Sequence, residues 1–111
     1  MKQRAILINS TDQTVTEVEV NKGDFSEHYR LIGCDLVQIV PMKLPKGDQL
    51  FVDEEGRLKE PEGAFSFEGW AEPYLVGNAL VCGNGKGAKA TIAEIEARVK
   101  FFVKNHPEAV H

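Results

Sequence analysis

Between two apolar runs the chain reads Gly83-Asn84-Gly85-Lys86-Gly87, three glycines set around a lysine. Backbone N–H groups in such a loop can cradle an anion, with the lysine adding charge. A nucleotide P-loop places a glycine, four residues, then Gly-Lys-Ser/Thr, so that the hydroxyl holds magnesium. Here Gly87 follows Lys86, and Leu80 occupies the first glycine position. The dinucleotide fingerprint also fails, because Ala88 stands where its third glycine belongs. Gly83, Gly85, Lys86 and Gly87 are therefore a candidate anion loop whose simpler reading is a flexible connector.

The other reactive side chains do not assemble by spacing. Asp53-Glu54-Glu55 offers carboxylates, but a calcium loop alternates its oxygen ligands and ends on a glutamate at the twelfth position. Consecutive acids point different ways, so a solvated turn is the expectation. His28, His106 and His111 lack metal-ligand spacing to one another or to Cys34 and Cys82. Ser10, Ser26 and Ser66 have no nucleophile-elbow context. No catalytic residue, metal or cofactor is assigned. Trp70, the sole tryptophan, sits among glycine and proline beside acidic residues. It covers the open end of a small core or anchors a partner.

The elements around these residues are legible from periodicity. Residues 4–9 form a β-rich run, and residues 14–20 alternate apolar with polar apart from a slip at Thr16 and Glu17. Together they predict an antiparallel hairpin. Asp24 and Glu27 form a capping box for a short helix that Gly33 closes. Residues 34–42 and 50–52 read as strands. The turn Asp53-Glu54-Glu55-Gly56 then calls for a left-handed glycine at Gly56 and a return through Arg57 and Leu58. Residues 75–82 read as a central strand interrupted by Gly77-Asn78. Thr91 and Glu94 cap a second helix, predicted over 91–105, with Glu94–Arg98 and Glu96–Lys100 pairs four residues apart. The fold class is α+β: a mostly antiparallel sheet of about five strands, one short helix and one long C-terminal helix.

Within that long helix, Phe101 falls opposite the stripe of Ile95 and Val99, on the side of Ala90, Ala97 and Lys104. An outward Phe beside small alanines invites another helix. Ala97 and Phe101 are accordingly candidate self-association residues in a homodimer, the alternative being that a second layer or the tail from Pro107 packs over Phe101.

The bulk numbers describe one domain over residues 1–111, with 42% hydrophobic and 27% charged residues, near globular averages. The opening apolar run is too short for a secretory leader, and none approaches the ~20 residues of a membrane span. A cytoplasmic protein with two reduced, buried thiols is expected. The net charge of −4 is unevenly placed. Residues 48–72 carry eight carboxylates against Arg57 and Lys59, a net of −6, while residues 1–47 balance and residues 73–111 are net +2. Such a block is expected on the surface, where it repels nucleic-acid phosphates and can steer a basic protein partner. Asp53, Glu54, Glu55 and Trp70 are the candidate partner-binding residues.

The segments Ala5-Ile6-Leu7-Ile8-Asn9, Leu31-Ile32-Gly33-Cys34-Asp35, Leu50 through Leu58 and Val76-Gly77-Asn78-Ala79-Leu80-Val81-Cys82-Gly83 occur here in a familiar order. Over about residues 3–83 the chain resembles a family of small proteins of phages, plasmids and their hosts catalogued as domain of unknown function 3846. Many members continue after the turn with a leucine-rich stretch containing asparagine, where this chain has Lys59-Glu60-Pro61-Glu62. The resemblance implies a mobile-element setting and carries no activity. The reading that follows is a non-catalytic accessory protein that binds a host or phage protein through an acidic surface. The alternative is a small-molecule or nucleotide-binding module, and an enzyme or a purely structural domain ranks behind both.

Overall fold

A computed structural model describes residues 2–21, 26–33, 37–40, 44–53, 63–69, 75–83 and 87–103. The first hairpin pairs β1 (Lys2–Asn9) with β2 (Thr14–Asn21) in antiparallel register from Lys2 opposite Asn21 to Asn9 opposite Thr14. Its turn carries Gln13 at φ 58°. The alternation read in residues 14–20 has its cause in two buried faces. Val15 joins one core, while Val18 and Val20 join the other.

Helix α1 (Ser26–Ile32) follows, and Gly33 closes it at φ 82° with its N–H on the Tyr29 carbonyl at 2.8 Å. That left-handed ending favours glycine because no Cβ obstructs it. Next come the short strand β3 (Val37–Ile39), a 3-10 turn at Pro45–Gly47 and strand β4 (Gln49–Asp53). Strands β5 (Gly63–Phe67), β6 (Leu75–Val76) and β7 (Ala79–Cys82) complete the middle of the chain. Helix α2 (Ile92–Glu96) and strand β8 (Val99–Val103) follow. Asp24 of the first capping box, and Gly56, Arg57 and Leu58 of the expected turn and return strand, lie outside the described residues.

The strands make two antiparallel sheets, ordered β2-β1-β7-β4-β3 and β6-β5-β8. Burying both faces of the larger sheet explains its apolar runs. On one face Ile6, Ile8, Leu50, Val52 and Val81 pack with Phe65 and Phe67 of the smaller sheet and Ile95 of α2. On the other, Ala5, Phe51, Leu80 and Cys82 pack with Ile32 of α1. The expected interruption at Gly77-Asn78 is present, with Gly77 at φ 78°. It carries the chain from β6 in one sheet to β7, the central strand of the other.

The long C-terminal helix is not formed. The capping box exists, with Thr91 Oγ1 accepting from the Glu94 N–H at 3.1 Å and Glu94 Oε1 from the Thr91 N–H at 2.9 Å. The helix nonetheless ends at Glu96. Residues 99–103 are Val-Lys-Phe-Phe-Val, β-branched or aromatic at four of five positions, and they extend along β5 with Phe101 opposite Phe65 and Val99 opposite Phe67. The expected i,i+4 ion pairs give way to Glu94–Lys46 at 3.0 Å and Arg98–Glu68 at 3.8 Å. Phe101 is half-buried against the core, and Ala90 is fully buried. The outward helical face that argued for self-association through Phe101 is therefore absent, while Ala97 is exposed at the end of α2.

Candidate functional site

Among the described residues the densest polar construction lies around residues 87–90, between Arg4 of β1 and Asp48 before β4. Asp48 precedes β4 and is only 3% exposed. Its Oδ1 and Oδ2 each accept the Lys89 N–H at 3.0 Å, and Oδ2 also accepts the Ala90 N–H at 2.8 Å. From the other side, Arg4 Nη1 donates to the carbonyls of Ala88 and Ala90, both at 2.7 Å. The Ala88 N–H returns a bond to the Arg4 carbonyl at 2.7 Å, and Arg4 Nε meets Glu17 Oε1 at 2.6 Å. A carboxylate and a guanidinium thus clamp one irregular segment by its amides and its carbonyls. Buried backbone groups need such partners, and charged ones bind them most strongly.

This clamp corrects one expectation and bears on another. The acidic block does not lie wholly on the surface, because Asp48 is taken inside by three amide contacts that compensate its desolvation. The amides of residues 88–90, at the exit of the glycine loop, are already bonded within the chain. Gly83 follows β7 and is half-buried. Gly87 lies so near β1 that a Cβ there would stand 3.2 Å from the Arg4 nitrogen. Gly85 and Lys86 lie outside the described residues.

A second junction ties the hairpin to the smaller sheet. The Ser10 N–H donates to Asn78 Oδ1 at 3.0 Å, and its hydroxyl donates to the Gly77 carbonyl. The Gly77 N–H donates to the Gly63 carbonyl at 3.0 Å. Ser10 is buried. The Gly77-Asn78 pair therefore acts in assembly: one residue supplies the left-handed turn and the other caps a buried N–H.

A third cluster sits under α1. His28 is buried, its ring edge-on to Phe51 at 5.1 Å, with Nε2 3.5 Å from Cys82 Sγ. Burial, and secondarily the Asp48 charge, push the Cys82 thiol from 9.0 to about 12. A thiol held in that state is a small hydrophobe rather than a nucleophile. Among the described residues no three His, Cys, Asp or Glu side chains gather as a metal site requires.

The candidate partner-binding residues are only partly in view. Asp53 ends β4, half-buried and opposite Val37 on β3. Glu54, Glu55 and Trp70 lie outside the described residues. Sequence reasoning missed Arg4 and Asp48, since a charge count registers sign and not partner. The sequence cue for both is position: each is a charged residue next to an apolar strand core.

Residues 1–102 match the family described as Domain of unknown function (DUF3846). The chain belongs to that family. No curated protein and no solved structure gives a match. Two segments within the matched range have structural roles here: Gly77 and Asn78 build the sheet-to-sheet crossing, and Leu50–Val52 lie within β4. Among the described residues no helix is long and apolar enough to cross a membrane.

Proposed function

We propose that this chain is a non-catalytic accessory protein of a phage- or plasmid-type element that acts in the cytoplasm by binding a basic host or phage protein. The acidic stretch leaving β4 carries the recognition. The supporting observation is the division of its carboxylates at that strand. Asp48, before β4, is turned inward and consumed by the Lys89 and Ala90 amides. β4 ends at Asp53, and Glu54 and Glu55 follow in the sequence. Residues 53–72 hold seven carboxylates against two cations, a net of −5. A field of one sign accelerates encounter with the opposite sign and weakens with salt. Arg4, Ser10, Asp48 and Asn78 are occupied in bonding the chain's own backbone, which favours a binding role over chemistry at those groups. The nucleotide-binding alternative has less support, because the amides at the loop's exit already have partners.

The test is a pull-down from the host with the full chain, followed by binding kinetics for the captured protein. Replacing Glu54 and Glu55 by Gln slows association and flattens its salt dependence while the melting temperature holds. Association indifferent to both the substitutions and ionic strength overturns the reading.

A further inference from the structure

Strand β2 ends the five-stranded sheet, and among the described residues no strand pairs with its outer side. The sheets' other edges are shorter: three residues in β3, two in β6 and five in β8. β2 runs for eight residues without proline. An unpaired strand of that length offers a row of backbone donors and acceptors to an incoming strand. The helices reach β2 through its faces, α2 on the side of Val15 and α1 on the side of Val20. Thr14, Thr16, Glu17 and Glu19 are exposed.

Side-chain order decides what fits. Glu17 and Glu19 are two residues apart and share the face of Ile6 and Arg4, their partners in β1. A second copy is a poor occupant. In two-fold antiparallel pairing, opposed residues share a face, so the registers of fullest overlap set Glu17 against Glu17 or Glu19 of the copy. Like charges directly opposed destabilise a strand pair. An extended segment with cations at alternate positions meets the same two carboxylates favourably, Glu19 more than Glu17, which already holds Arg4 Nε at 2.6 Å. Its other face, lying beside Thr16, Val18 and Val20, suits β-branched residues.

We propose that the outer edge of β2 is a docking site for an extended, cationic segment of another protein, which adds as a further strand with Lys or Arg facing Glu17 and Glu19. It concerns a protein partner, as the proposed function does, but uses residues apart from the acidic stretch after β4. Substitutions at Glu54 and Glu55 test that reading, and Glu19→Gln tests this one.

The probe is a synthetic eight-residue peptide alternating Lys with Val, compared with one alternating Glu with Val. Amide hydrogen exchange is followed in the wild-type chain, so the result needs no variant to fold. The Lys peptide slows exchange at alternate amides of β2 and binds about tenfold more tightly than the Glu peptide. Glu19→Gln narrows that preference with the melting temperature nearly unchanged, since it removes a charge without setting a second cation opposite Arg4. Protection appearing at β8 and not β2 overturns the proposal, as does equal binding of both peptides. Protection of the outer β2 amides in the peptide-free chain also overturns it: dependence on protein concentration then identifies a second copy as the occupant, and independence a segment of the chain itself.

Discussion

Both oxygens of the Asp48 carboxylate accept the N–H of Lys89, and the segment they hold is gripped again through its carbonyls by Arg4. Two residues far apart in sequence thus fix one stretch of irregular chain between the glycine loop and α2. Asp48→Ala leaves the Lys89 and Ala90 amides without their acceptor and lowers unfolding stability by about 3 kcal/mol. Asp48→Asn recovers only part, because the carboxamide presents an NH2 where the second oxygen stood. Arg4→Ala and Asp48→Ala together cost less than their sum, since either alone releases the same segment. Urea unfolding midpoints of the two single variants and the double variant check this. Strict additivity refutes a shared clamp.

Gly63 occupies a place where only glycine fits. A Cβ there would stand 2.5 Å from the Ser10 carbonyl oxygen and 2.9 Å from its carbon, both backbone atoms that cannot swing aside. Gly63→Ala therefore costs about 2–3 kcal/mol through forced separation of the hairpin from β5. At Gly87 the nearest atom is 3.2 Å away, and alanine is accommodated with a smaller loss. Thermal unfolding of the two variants should rank them in that order.

Phe101 marks the limit of what the sequence discloses. The start of α2 is readable because a capping box is local chemistry, complete within Thr91 and Glu94. Its end is not, because residues 99–103 satisfy both a helical stripe and a strand, and β5 settles the choice from more than thirty residues away. The same locality explains why β1, β2 and the Gly33 cap are legible, whereas the division into two sheets at Gly77-Asn78 is not. Asp48 is hidden for a related reason: its partners lie across the fold. With Phe101 set opposite Phe65, Phe101→Ala opens the core and lowers stability by about 2 kcal/mol, less than for a fully buried ring. A neutral substitution, judged by the urea midpoint at unchanged slope, would restore the outward-facing assignment.

Cys82 gives the fold a measurable alkaline limit. Its thiol ionises near 9.0 when exposed and near 12 in the folded chain, chiefly because burial beside Leu80 and Phe51 disfavours the thiolate. The folded state therefore retains a proton that the unfolded state releases first. The stabilisation is complete below pH 9 and is lost as pH rises toward 12. Wild type should lose stability over that window more steeply than Cys82→Ala, although the variant starts lower at neutral pH because it loses packing. Alkylation agrees in sign: at pH 8 the native Cys82 resists iodoacetamide and reacts once urea unfolds the chain. Prompt modification of native Cys82, located by peptide mapping, would show that the thiol is neither sealed by α1 nor held protonated.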